Sequence, residues 1–225
     1  MYIGVLVELS NKNNPNILLL SHATMNLNKE KYATSILFEI FRRLGCNVKI
    51  LFKEDLIIKD KSKDYVEWAD VIYEDGGDTL SMINLWNSTG FSNLLSNADN
   101  KILCGLSAGA ACWFSSFNSR KENFICEGKG LSLIDAYFVP HATQRDRISA
   151  SLTHLKENGK VGIFIPNNCA IEIVNDKYKI IYDDFDFESV HYHAKYKYYE
   201  NGCLISHDMD NFKNCKSLKK ILINK

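Results

Sequence analysis

From Asn16 to Cys104 short apolar runs alternate with segments of helical periodicity, and this alternation constrains the fold more than any other feature of the chain. Asn16 to Ser21 (NILLLS) is a short apolar run and reads as a strand buried on both faces. From Lys29 to Leu44 the positions Tyr32, Ile36, Leu37, Ile40, Phe41 and Leu44 recur at helical spacing, with Gly45 at the C-cap position. Asn47 to Phe52 (NVKILF) then predicts a second strand, Tyr65 to Ala69 a short helix, and Val71 to Tyr73 a third strand. Two helices, Leu80 to Asn87 with Thr79 as N-cap and Phe91 to Asn97, precede a fourth strand, Lys101 to Cys104. Strands that alternate with helices predict a mostly parallel sheet covered by helices on both sides.

Beyond Cys104 the pattern predicts a helix from Ala110 to about Phe114, an irregular polar stretch from Ser115 to Gly130, and a strand from Leu131 to Val139. A helix over Arg145 to Asn158 and a strand over Val161 to Ile165 follow. Ala170 to Val174, Lys177 to Tyr182, Ser189 to His193 and Cys203 to Ser206 read as short strands joined by polar turns, added antiparallel at an edge of the sheet. There is no internal repeat, low-complexity tract or Pro/Gly-rich linker, and the 225 residues are within the reach of one hydrophobic core, so a single domain over 1–225 is expected.

Charge narrows the partners. The 27 basic and 27 acidic side chains cancel, which removes the simplest electrostatic case for a nucleic-acid binder. Tyr192, Tyr196, Tyr198 and Tyr199 with Lys195 and Lys197 read as an edge strand with solvated lysines rather than a base-stacking surface. No apolar run approaches the roughly 18 residues of a membrane helix, and the opening MYIGV is not a secretory signal, so a cytoplasmic protein without membrane or nucleic-acid partners is expected. The seven cysteines have no C-x-x-C pair, consistent with buried thiols.

The chemistry concentrates in Gly105-Leu106-Ser107-Ala108-Gly109, a G-x-S-x-G run directly after the strand KILC and before a small-residue helix. A nucleophilic serine on a tight strand-to-helix turn needs small neighbours, which Gly105, Gly109 and the alanines 108, 110 and 111 supply. Such a turn aims N–H groups at an oxyanion, Ala108 first. Gly76-Gly77 follows the third strand and offers a second donor at Gly77; in an open parallel sheet both loops face the same crevice. His141, in Val139-Pro140-His141 after another strand, is the candidate base, since a serine hydroxyl needs a proton acceptor. His22 is the runner-up and His154, within a predicted helix, a surface or packing residue; His191, His193 and His207 lack the further ligands of a metal site, so no metal is expected.

GLSAGA followed by Trp113-Phe114, the GGDT loop before it and Pro140-His141 after it resemble peptidase family S51, which contains dipeptidase E and cyanophycinase. The resemblance runs from about Asn16 to Val174. It implies a flavodoxin-like, class I glutamine-amidotransferase-like three-layer α/β sandwich, with the family serine on Ser107, its histidine on His141, and the oxyanion loop on Gly76-Gly77, where Asp78 replaces the usual asparagine. No cofactor is implied. The third member of the triad departs from the pattern. Counting from the serine as in dipeptidase E reaches Glu122, with Glu127 close by; in other members an acid follows the histidine, and there this chain has Asn167 in Ile165-Pro166-Asn167-Asn168. An asparagine cannot stabilise an imidazolium by charge, and the comparable change in a serine protease costs about 10⁴ in turnover.

The resemblance therefore implies a serine-type peptidase for short peptides, dipeptides with an acidic first residue among them; monomer and homodimer both stay open. Arg145 and Arg147 are the candidates for the acidic side chain, because a guanidinium grips a carboxylate bidentately. The competing expectation, motivated by Asn167, is a weakened member that binds a peptide or small ligand without turnover.

Overall fold

A computed structural model of the protein describes residues 3–24, 27–121, 124–167, 169–175, 177–182, 192–209 and 216–217. The chain forms two compact units, Tyr2–Trp113 and Phe114–Lys225.

In the first unit the helix α1 (Ile3–Leu9) leads to strand β1 (Asn16–Leu20), helix α2 (Leu27–Arg43), and strand β2 (Asn47–Ile50). A 3-10 turn over Lys53–Ile57 and helix α3 (Lys59–Trp68) reach strand β3 (Val71–Glu74), followed by helices α4 (Thr79–Thr89) and α5 (Phe91–Ser96). Strand β4 (Ile102–Gly105) and the short helix α6 (Ala108–Ala111) complete the unit. The sheet order is β2-β1-β3-β4 with every neighbouring pair parallel, as the alternation of strands and helices dictates. β1 lies between two neighbours, and Ile17, Leu18, Leu19 and Leu20 are all fully buried, which accounts for its unbroken apolar run. Ile17 and Leu19 pack with Leu37 and Phe41 of α2, Val71 and Tyr73 of β3, and Ile3 of α1.

The second unit opens on strands β5 (Phe114–Lys121), β6 (Phe124–Lys129) and β7 (Ile134–Val139), then helix α7 (Arg145–Asn158) and strand β8 (Gly162–Phe164). β9 (Cys169–Val174), β10 (Lys177–Tyr182), β11 (Lys195–Glu200), β12 (Cys203–Asp208) and β13 (Lys216–Ser217) follow. Its six-stranded sheet has the order β12-β11-β8-β7-β5-β6, parallel through β5, β7 and β8 and antiparallel where β6, β11 and β12 join; β13-β10-β9 form a separate antiparallel sheet. Tyr137, Val139, Leu155 and Phe164 form the core where α7 lies on this sheet.

Several local expectations change. The expected irregular stretch over Ser115 to Gly130 is the β5–β6 pair; its strand pattern is masked because Asn118 and Ser119 are buried polar residues beside the buried Phe117. The helix expected to reach Phe114 ends at Ala111, and Phe114 already belongs to β5. The N-cap of α4 is Asp78 rather than Thr79: its carboxylate accepts the Ser81 N–H at 3.0 Å and the Ser81 hydroxyl at 2.8 Å. α3 starts at Lys59 rather than Tyr65, and α1 went unforeseen because its seven residues carry no cap signal. The strand expected over Ser189 to His193 lies partly outside the described residues, and Tyr192 and His193 are not in a strand. β11 is interior rather than an edge, with β12 outside it; the Lys197 ammonium sits 5.0 Å from the centre of the Phe164 ring, and Lys195 binds Asp208 at 2.6 Å. Among the described residues no helix is long and apolar enough to cross a membrane.

Candidate active site

Ser107 sits between β4 and α6 with φ 53° and ψ −101°, a combination that L-residues rarely adopt and that costs on the order of 1–3 kcal/mol. The turn is held from several directions. Leu106 N–H donates to the Glu74 carbonyl at 3.1 Å, Gly109 N–H to the Leu106 carbonyl at 2.9 Å, and Ala110 and Ala111 N–H to the Ser107 carbonyl at 3.1 and 2.9 Å. Both glycines of the G-x-S-x-G run are required by packing: a Cβ on Gly105 or on Gly109 would overlap the Glu74 carbonyl. The turn is thus pressed onto the end of β3 more closely than any side chain permits.

The Gly76-Gly77 loop meets it there. A Cβ on Gly76 would stand 3.5 Å from the Leu106 carbonyl oxygen and 3.6 Å from Ser107 Cβ, so the two loops lie within one methyl group's reach of each other. Gly77, at φ 154°, lies against the Ala23 carbonyl with no room for a side chain. Asp78 N–H donates to that carbonyl at 2.8 Å, and the Thr24 hydroxyl to the Gly76 carbonyl at 3.3 Å. The structure therefore brings Ser107, Ala108, Gly76 and Gly77 together at the carboxyl ends of β3 and β4, where strand order places loops that share a crevice.

Behind the turn lie two buried titratable groups. His22 is fully buried; its Nε2 is 2.8 Å from the Leu51 carbonyl and its Nδ1 accepts the Trp86 indole N–H at 2.9 Å. One nitrogen must donate and the other accept, so the ring is neutral, in keeping with burial lowering its pKa to about 4. With both nitrogens so engaged, His22 is not a base for Ser107. Glu74 is also fully buried; Oε1 accepts the Ala23 N–H at 3.1 Å, while Oε2 lies 3.9 Å from His22 Nδ1 and has no hydrogen-bond partner among the described residues. Burial pushes its carboxyl well above the usual carboxylate range. A neutral histidine beside a raised acid is not an ion pair. Cys104 and Cys112 donate to the carbonyls of Ile72 at 3.4 Å and Gly109 at 3.3 Å, and burial raises both thiols, so neither is a nucleophile.

In the second unit His141 follows β7 at φ 53°, and its Nδ1 is 2.7 Å from Oδ1 of Asn167, which follows β8. The parallel pairing of Val139 with Phe164 places these strand ends side by side, and Ala142 N–H to the Ile165 carbonyl at 3.0 Å ties the loops. An amide oxygen only accepts, so Nδ1 carries the proton and Nε2 is the basic nitrogen. The partner of His141 is therefore the asparagine itself. Glu127 instead contacts the Nδ1 of His154, a ring stacked on Tyr137 at 4.3 Å, and accepts from Tyr137 at 3.4 Å; Glu122 lies outside the described residues.

The two arginines have different fates. Arg147 is buried on the inner face of α7, donating to Asn118 Oδ1 at 2.7 Å and to Gln144 Oε1 at 2.9 Å. That leaves Arg145, exposed in the first turn of the same helix. Sequence reasoning missed Glu74, Ala23 and Thr24. The signal for the first was an acidic residue closing the otherwise apolar VIYE strand.

Parallel strands alternating with helices, with glycine-rich loops gathered at the strand ends, define a flavodoxin-like α/β protein. The family model of peptidase family S51 matches residues 3–181, and the chain belongs to that family. It is 29% identical over 130 residues to the uncharacterized peptidase YgaJ of Bacillus subtilis (strain 168), a match covering 54% of this chain and 56% of that protein, so the chain spans about half the length of this curated relative. A crystal structure of a peptidase from an acI-B1 actinobacterium aligns at TM-score 0.68 with 20% identity over 96% of this chain and 89% of the other. A second, from Listeria monocytogenes EGD-e, aligns at TM-score 0.53 with 16% identity over 92% and 93%. These two likenesses concern the fold.

Proposed function

We propose that the chain is a serine-type peptidase that hydrolyses short peptides, with the Ser107 turn as its nucleophile elbow. The observation that carries this reading is the strained Ser107 backbone, pressed onto the end of β3 through Gly105 and Gly109, where no side chain fits, with the Gly76-Gly77 loop beside it. In the proposed reaction Ser107 Oγ attacks the scissile carbonyl carbon as its proton passes to His141 Nε2. The carbonyl electron pair moves onto oxygen, where the N–H groups of Ala108 and Gly77 receive it. Collapse expels the amine, which takes the proton from Nε2; water, deprotonated by the same nitrogen, then cleaves the acyl ester. Asn167 fixes the tautomer and orientation of the ring but adds no charge. Arg145 is the proposed contact for an acidic side chain at the substrate amino terminus. No step calls for a cofactor, and a cytoplasmic location suits an enzyme whose buried cysteines are thiols.

The test is hydrolysis of short peptides by purified protein and by Ser107→Ala, together with labelling by a fluorophosphonate. The reading requires turnover and labelling in the wild type and neither in the variant; hydrolysis that survives Ser107→Ala refutes it. A second reading, a family member that binds peptides without turnover, is favoured by Asn167 in place of an acid. It requires peptide binding by an unlabelled, inactive wild type.

A further inference from the structure

The peptidase reading leaves the Glu74 carboxyl without a role, yet this residue touches both loops of the candidate oxyanion site. Its main-chain carbonyl accepts the Leu106 N–H and is the surface on which Gly105 and Gly109 pack. Its side chain accepts the Ala23 N–H at 3.1 Å, and Ala23 is the seat of the other loop, with Asp78 N–H on its carbonyl at 2.8 Å and Gly77 pressed against it. The neighbouring Thr24 holds the Gly76 carbonyl. We propose that Glu74 is a positioning residue that fixes the spacing of the two oxyanion donors, its main chain seating the Ser107 turn and its carboxyl seating the Gly76-Gly77 loop through Ala23. The inference deepens the peptidase reading and rests on it for its effect on turnover.

Its surroundings keep this acid in one state. His22 faces it as a neutral ring, Asp75 next in the chain opposes a second negative charge, and the thiol of Cys112 and the phenol of Tyr73 add no positive charge. The cation near it is Lys53, whose ammonium is held by the Thr24 carbonyl. Ionisation would leave a charge in a fully buried position, against the loop that Ala23 supports.

The experiment compares wild type, Glu74→Gln and Glu74→Met by amide hydrogen exchange and by kcat and KM on a short peptide, with circular dichroism to establish folding. Glutamine keeps an acceptor oxygen for the Ala23 N–H, whereas methionine keeps only the volume. In Glu74→Met the Ala23 and Asp78 amides are expected to exchange about tenfold faster, with kcat down by about tenfold and KM nearly unchanged, since a displaced oxyanion donor acts on the transition state. Glu74→Gln should restore both. Unchanged exchange in Glu74→Met, or Glu74→Gln as impaired as Glu74→Met, overturns the inference. If the wild type neither turns over peptide nor labels with fluorophosphonate, the peptidase reading has failed, and the exchange comparison still decides whether Glu74 seats the loop.

Discussion

Replacing Asn167 by aspartate isolates charge from geometry in the proposed base. Loss of the aspartate in a serine protease costs about 10⁴ in turnover largely because the amide holds the wrong histidine tautomer. Here the amide oxygen faces Nδ1 at 2.7 Å, so the tautomer is already correct and only the charge is missing. Asn167 is exposed, which puts the pair near the aqueous limit of Coulomb's law. At 2.7 Å in water an imidazolium and a carboxylate attract by about 1.5 kcal/mol, which is roughly a tenfold change in rate if the imidazolium is fully formed in the transition state. Asn167→Asp is therefore expected to raise kcat on a short chromogenic peptide by about tenfold, with KM unchanged. Steady-state kinetics on both proteins, with matching circular dichroism, measure it. A folded variant with unchanged or lower kcat would refute the assignment of His141 as base. A gain in the thousands would mean that the asparagine had been holding the ring in the wrong tautomer.

Three further outcomes follow from the same geometry. Gly109→Ala drives a Cβ into the Glu74 main chain and should destabilise the fold by about 3 kcal/mol or more by urea unfolding, while a wild-type melting curve would mean that the Ser107 turn can back away from β3. The folded pKa of Glu74 is raised, so the stability its proton contributes is fully present below pH 4.5 and is lost as pH rises to the folded value; over that window the stability of Glu74→Gln relative to wild type should climb by up to about 1.4 kcal/mol per pH unit, and a pH-independent difference would mean that the carboxyl is ionised in the fold. Arg147→Met strands the buried Asn118 Oδ1 acceptor and should cost about 1–3 kcal/mol, whereas Arg145→Ala should leave stability within about 0.5 kcal/mol and raise KM selectively for peptides with an acidic amino-terminal residue; an unchanged KM removes Arg145 from substrate recognition.

Legibility in the sequence followed the range of the interactions involved. β1 and α7 were readable because their signals are local: an unbroken apolar run that wants burial on two faces, and a helical stretch closed by Gly159 in the left-handed conformation. β5 and β6 were not readable, because Asn118 and Ser119 point polar groups inward and Arg147, far along the chain, satisfies Asn118. The same limit applied to His141. Its place after a strand was visible, but an asparagine twenty-six residues away reads as a defect until its oxygen is found 2.7 Å from Nδ1.

By itself, then, the amino-acid order determined the parallel α/β core of the first unit, the tight turn at Ser107 and the glycine loop before α4. Each rests on contacts between near neighbours in sequence or on residue types that only one backbone conformation tolerates. Only the tertiary structure decided that Arg147 is buried and Arg145 exposed, that His22 is locked neutral by Trp86 and Leu51, and that Glu74 lies behind both loops. Those outcomes depend on which distant groups share a buried volume. Desolvation then dictates their protonation, a quantity that has no local signature in the chain.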